Sequence, residues 1–231
     1  MKKKGWVIAL VVLLLILGGG GVWYMSRDGQ VPEATASSSS PAEAVGSEER
    51  HTMGNPNAPV TLIEYAALTC PHCAEFNELV MPTLKSKYID TGKVFYVFRV
   101  LPIGPGDFKA EGLAVCMPKE KYFETVDTLF RRQNEWGPMQ MNEVVGDMSL
   151  QPRTDAGLIK LGGEMGLDAE KARSCMYDYR QHQILDKGAS DGSLRYGITG
   201  VPAIIIGDKV VTAPHTPEEL DALLAPLLQG K

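Results

Sequence analysis

The sequence predicts an α/β domain split by a block of helices. Three observations carry this. An early stretch reads strand, helix, strand; a long middle stretch keeps helical spacing; the C-terminal part returns to two short strands and a helix. Joined across the helical block, residues 51–106 and 191–231 would form one sheet with helices on both faces, and 107–190 the insertion.

Each element has its own signal. The turn cluster Asn55-Pro56-Asn57-Ala58-Pro59 precedes VTLIEYA, Val60 to Ala66, which reads as a strand. Pro71 to Ile89 reads as a helix, with Phe76, Leu79, Val80 and Leu84 on one face and a kink at Pro82. KVFYVFRVL, Lys93 to Leu101, is apolar on both faces apart from Arg99, as an interior strand of a covered sheet would be. Strand, helix, strand in this order implies a parallel pair. In the helical block, Tyr122, Val126, Leu129 and Phe130 keep helical spacing, as do Ala172, Cys175, Met176 and Tyr179 behind an Asp168 N-cap. Later, Ala203 to Ile206 and Lys209 to Thr212 flank Gly207-Asp208, a hairpin signal. Thr216-Pro217-Glu218-Glu219 is a capping box, and Leu220, Leu223, Leu224 and Leu227 mark the buried face of the last helix.

The N-terminus bears on compartment. Lys2, Lys3 and Lys4 precede an uncharged run, Gly5 to Ser26. As a helix this run would span roughly 33 Å, about a bilayer core. It reads as an uncleaved inner-membrane anchor with the lysines left in the cytoplasm, or alternatively as a signal peptide. Residues 27–50, including ATASSSSP, read as a flexible linker. Either way the rest of the chain would face an oxidising space, the bacterial periplasm. A net charge of -5 without a basic stripe argues against nucleic-acid binding.

The chemistry concentrates at Cys70-Pro71-His72-Cys73. Cys70 stands where strand gives way to helix, and proline suits the first helical position, so Cys70 becomes the N-cap. Free amides and the helix dipole then stabilise its thiolate, and a cationic His72 would add to this. Cys70 is expected to be the exposed nucleophile and Cys73, one turn on, the deeper resolving thiol. A four-cysteine zinc site would need Cys116 and Cys175 as well, and these do not form a second CxxC. A purely structural 70–73 bridge would close too tight a ring to stabilise much. Cys116 and Cys175 could themselves be bridged, could be buried free thiols, or could form a second redox pair. A bridge across a loop of about 59 residues would contribute at most about 4 kcal/mol.

"TLIEYAALTCPHCAEF" and "GITGVPAIIIG", in that order, resemble the DsbA family of thiol–disulfide oxidoreductases, over roughly residues 51–231. The resemblance implies a thioredoxin fold with an inserted helical domain and no cofactor. It implies a cis Val201-Pro202 bond packed against the CPHC loop, with the Val201 backbone pairing to an extended substrate; a trans proline starting an edge strand is the alternative. It places an acid, here Glu64, beneath the thiols to exchange a proton with them, against a plain solvent-facing strand position. Relatives often carry an acid where this chain has Asn77, a departure. Arg99 resembles a charged residue of some relatives, or makes a surface ion pair. His51, His182 and His215 lack ligand spacing and read as surface or loop residues.

The resulting expectation is an enzyme that introduces disulfides into reduced exported proteins and is re-oxidised by a membrane quinone-linked partner of the DsbB type. Rival readings are a disulfide isomerase or reductase on the same scaffold, a tethered chaperone-like binding module, and a copper-delivery protein.

Overall fold

The computed structural model describes residues 51–137 and 151–229. The anchor and linker expected over residues 5–26 and 27–50 lie outside them. Among the described residues no helix is long and apolar enough to cross a membrane.

Among the described residues the sheet has five strands, in the order β1-β3-β2-β4-β5. They are β1 (Thr52–Met53), β2 (Val60–Ala66), β3 (Val94–Val100), β4 (Ala203–Ile206) and β5 (Lys209–Val211). β2 and β3 run parallel, as strand–helix–strand order requires. β1, β4 and β5 pair antiparallel with β3, β2 and β4 respectively. β1, two residues long, carries no alternation and was not expected; it caps the edge of β3.

Period-2 alternation divides the sheet's two faces. Leu62, Ala66, Tyr96, Phe98 and Ile204 join the main core, with Phe76, Val80, Leu84, Leu220 and Leu224 from the covering helices. Ile63, Tyr65, Phe95, Val97, Ala203 and Ile205 form a smaller core on the other face.

Between β2 and β3 the expected single helix is broken. α1 (Pro71–Leu79) ends at Val80, the short α2 (Met81–Thr83) holds Pro82, and a π-helical turn covers Leu84–Ile89. Proline cannot donate to the preceding turn, so the break falls just before it. Leu79, assigned to the buried face, is exposed, because the break turns that side of α1 outward.

Between β3 and β4 run α3 (Pro105–Cys116), α4 (Tyr122–Arg131), α5 (Gln133–Trp136), α6 (Gln151–Glu164), α7 (Ala169–Met176) and α8 (Tyr179–Tyr196). The expected boundaries at 107 and 190 therefore fall inside α3 and α8. On α4, Tyr122, Val126, Leu129 and Phe130 are all buried. Asp168 caps α7, accepting from the Lys171 amide at 2.8 Å. Tyr179 does not continue the α7 face: α7 stops at Met176, and Tyr179 opens α8 with its ring exposed. α8 lies against the second face of the sheet at Gly192, where a side chain would collide with the Tyr65 ring.

The chain closes with the expected hairpin and α9 (Pro217–Leu228). Gly207 takes φ 64°, in the left-handed region the turn needs. Thr216 accepts from the Glu219 amide at 3.2 Å, but Glu219 returns its carboxylate to the His215 amide rather than to Thr216. Leu220 and Leu224 are buried, whereas Leu227 is exposed near the helix end, beyond the sheet.

Candidate active site

The central strand β2 delivers the CPHC segment just beyond its C-terminal end. Cys70 is the N-cap of α1 with extended backbone (φ -80°, ψ 122°), and Pro71 occupies the first turn. Its sulfur lies 3.8 Å from the Val201 carbonyl oxygen, and Val201-Pro202 is a cis peptide bond. Two segments far apart in sequence thus meet at one thiol.

The expectation of an exposed Cys70 does not hold. Cys70 is only 1% exposed and Cys73 0%, because the 201–202 segment covers the thiol that the helix end would otherwise present. Both cysteines are free. Their environments are opposite. The Cys70 thiol is lowered from 9.0 to about 6, chiefly because the Cys73 thiol donates a hydrogen bond to its sulfur. Burial opposes this; the Cys73 and His72 amides at the helix start assist, and the charge of His72 adds the smallest contribution. Cys73 is pushed well above an ordinary thiol, first by burial, then by its bond to Cys70. His72 itself points outward toward Glu75, its ring 65% exposed, so it contributes less than its place in the motif suggests.

Glu64 is not solvent-facing. It sits at the middle of β2, opposite Phe98 and Ile204, and is 1% exposed. It accepts from the Tyr96 hydroxyl at 2.7 Å. Burial raises its carboxyl from 4.5 to about 7, with the Tyr96 bond opposing, and its charge raises Cys73 in turn. A cavity of about 400 Å³ between α1 and α4 reaches Glu64 and Tyr96 but neither cysteine. Asn77, in the place of the relatives' acid, donates to Asp127 of α4 at 2.9 Å across the wall of this cavity. Asp127 was missed, since nothing local in α4 distinguishes it from a solvated acid.

Arg99 donates to the Tyr65 hydroxyl at 2.9 Å. His51 is not a surface residue: it stacks on Tyr122 at 3.8 Å and lies 3.2 Å from the buried Glu111 carboxylate. His182 contacts the Met176 carbonyl oxygen at 2.9 Å through Nε2. Cys116 and Cys175 are joined in a disulfide, with Cα atoms 5.9 Å apart. Two of the four ligands a zinc site would need are thereby used.

A thiol that favours thiolate at a helix start, a second thiol held protonated beneath it, and a backbone carbonyl across from the first meet the requirements of thiol–disulfide exchange. Fold and site together define a protein of thioredoxin architecture with a CxxC dithiol at a helix start. The sequence matches the thioredoxin family over residues 46–225, and the chain belongs to that family, in its DsbA-like branch. It is 32% identical over 132 residues to a provisionally named protein-disulfide oxidoreductase of Rickettsia bellii, a match covering 57% of this chain and 46% of the relative. The chain thus spans less than half the length of the Rickettsia relatives it matches. It is 26% identical over 188 residues to disulfide bond formation protein D of Bacillus subtilis, covering 78% of this chain and 77% of that one. The crystal structure of Wolbachia pipientis α-DsbA1 superposes with a TM-score of 0.64 at 25% identity, over 82% of this chain and 96% of that one.

Proposed function

We propose that this chain is an extracytoplasmic dithiol oxidase that introduces disulfides into reduced exported proteins. The observation that carries the direction is the asymmetry of the thiols, with Cys70 lowered to about 6 and Cys73 raised. At pH 7 a thiol of pKa about 6 in place of 9 stabilises the reduced pair by about 1.4 kcal/mol, which makes its disulfide roughly 30 mV more oxidising.

The reaction runs from a Cys70–Cys73 disulfide. A substrate thiolate attacks the Cys70 sulfur; the S–S bond breaks and Cys73 leaves with the electron pair. Cys73 takes up a proton, and Glu64, protonated over much of the neutral range, is the nearby buried acid that supplies it. A second substrate thiolate then attacks the substrate sulfur of the mixed disulfide and expels Cys70 as a thiolate. Two electrons pass from substrate to enzyme. The Val201 backbone offers an extended substrate a strand-like edge beside Cys70. Re-oxidation falls to a membrane quinone-linked protein of the DsbB type, near which an anchor at residues 5–26 would hold the enzyme.

Export is supported by the lysine-led apolar run Gly5 to Ser26 and by the Cys116–Cys175 disulfide, a bond that persists in oxidising compartments. The test is the redox potential of the full chain, equilibrated with glutathione. An oxidase should lie well above thioredoxin's value of about -270 mV. A value near thioredoxin's would overturn the reading in favour of a reductase.

A further inference from the structure

Residues 67–70 connect the end of β2 to the start of α1, and this short segment decides where the Cys70 sulfur sits. Its one internal backbone bond runs from the Cys70 amide to the Ala67 carbonyl at 3.0 Å. Two side chains from the helices between β3 and β4 hold three more of its backbone groups. Asp107 of α3, wholly buried, accepts from the Thr69 amide at 2.8 Å and from the Thr69 hydroxyl at 3.0 Å. Gln133 of α5 donates through Nε2 to the Leu68 carbonyl at 2.6 Å and to the Cys70 carbonyl at 3.0 Å.

The Leu68 carbonyl and the Thr69 amide belong to one peptide plane. That plane is therefore gripped at both ends, its C=O by Gln133 and its N–H by Asp107. Asp107 is itself fixed, accepting from the Ile103 and Gly104 amides at 2.9 and 3.0 Å at the start of α3. A peptide plane held at both ends cannot rotate, so the residue after it is delivered to α1 in one orientation. In that orientation the Cys70 sulfur receives the His72 and Cys73 amides and the Cys73 thiol.

We propose that Asp107 and Gln133 are positioning residues for the nucleophile: they clamp the Leu68–Thr69 peptide and so hold the Cys70 sulfur among the donors that stabilise its thiolate. This rests on the reading of Cys70 as a thiolate nucleophile. Neither residue touches the sulfur, and the clamp is contributed by the helices between β3 and β4 rather than by the sheet.

The test is the titration of Cys70 in the reduced full-length protein, followed by thiolate absorbance and by the pH dependence of its alkylation, for wild type, Asp107→Asn and Gln133→Ala. Asparagine at 107 keeps its one oxygen on the Ile103 and Gly104 amides and turns its NH2 toward the Thr69 amide, opening that end of the grip; alanine at 133 removes the Leu68 and Cys70 contacts from a half-buried helical site. Each folded variant is expected to move the Cys70 midpoint upward by about half a pH unit or more, a roughly threefold loss of alkylation rate below pH 6. A merely structural role would lower the melting temperature and leave this midpoint in place. An unmoved midpoint in folded variants overturns the clamp. Should Asp107→Asn fail to fold, Gln133→Ala alone decides, by the same criterion. An ordinary titration near 9 in the wild type would instead sink the thiolate nucleophile itself, and the clamp with it; a depressed wild type beside unmoved variants sinks the clamp alone.

Discussion

The two cysteine pairs of this protein sit at opposite ends of helices. Cys70 and Cys73 occupy the N-terminal turn of α1, whereas Cys116 is the last residue of α3 and Cys175 lies in the last turn of α7. Peptide dipoles and free amides at a helix start stabilise a thiolate; free carbonyls at a helix end oppose one. The first pair is free and the second bonded, which is the order these ends favour. A side chain at Gly112 of α3 would collide with the Cys175 backbone, so the bridged pair also depends on a close helix–helix approach. The same residue type is thus left as a free thiol favouring thiolate at one place and bonded at another by where it meets a helix.

The sharpest way to break this contrast is to disable each pair in turn. Cys70→Ser should lower oxidation of a dithiol peptide by at least about a thousandfold, since no Cys70–Cys73 disulfide remains for a substrate thiolate to attack. Cys116→Ala with Cys175→Ala should leave that rate within a few-fold while the protein is folded. Denaturant unfolding of the same double variant should show a loss of up to about 4 kcal/mol, the upper value for a loop of this length. Equal loss of activity in both variants would erase the distinction.

Glu64 sharpens the comparison through pH. Its carboxyl is about 7 in the folded protein against 4.5 when free, so the folded state holds the proton more tightly. Its contribution to stability is full below about 4.5 and is lost as pH rises through about 7, a fall of order 3 kcal/mol. In the oxidised protein, where neither Cys70 nor Cys73 titrates, Glu64→Gln should abolish this part of the slope and be the more stable form at pH 8. Asp107 is also raised, from 3.8 to about 6, and its slope falls at lower pH. A Glu64→Gln protein with wild-type slope between pH 5 and 8 would refute the assignment.

The smallest effect belongs to His72. As the least of the contributions to the Cys70 thiolate, its replacement by alanine should raise the Cys70 alkylation midpoint by less than about half a pH unit. A shift of a full unit or more would return the imidazole to the leading role that the CPHC motif suggests.

Much of the site was legible because its signals are local. Pro71 after a strand announces the N-cap at Cys70, Thr216-Pro217 the start of α9, and Gly207 the hairpin turn. Strand parity places Glu64 and Tyr96 on one face, though the hydrogen bond between them could be read only once β2 and β3 were known to pair in register. The amphipathic assignments failed at helix ends, at Leu79, Tyr179 and Leu227, where a period says which side is apolar but not how far the neighbouring layer extends. Asp107 and Gln133 were invisible for a different reason. Their partners lie 38 and 63 to 65 positions away, and no local pattern marks an acid or an amide that will meet a distant peptide.

The helices between β3 and β4 also set an order of events in time. Val201, across from the Cys70 sulfur, follows it by 131 positions. At a synthesis rate of about 5–20 residues per second, the CPHC segment emerges some 7 to 26 seconds before the strand that completes its pocket. During that interval the two thiols belong to a half-built domain lacking β4, so the nascent chain carries the reactive motif well before it carries a finished active site.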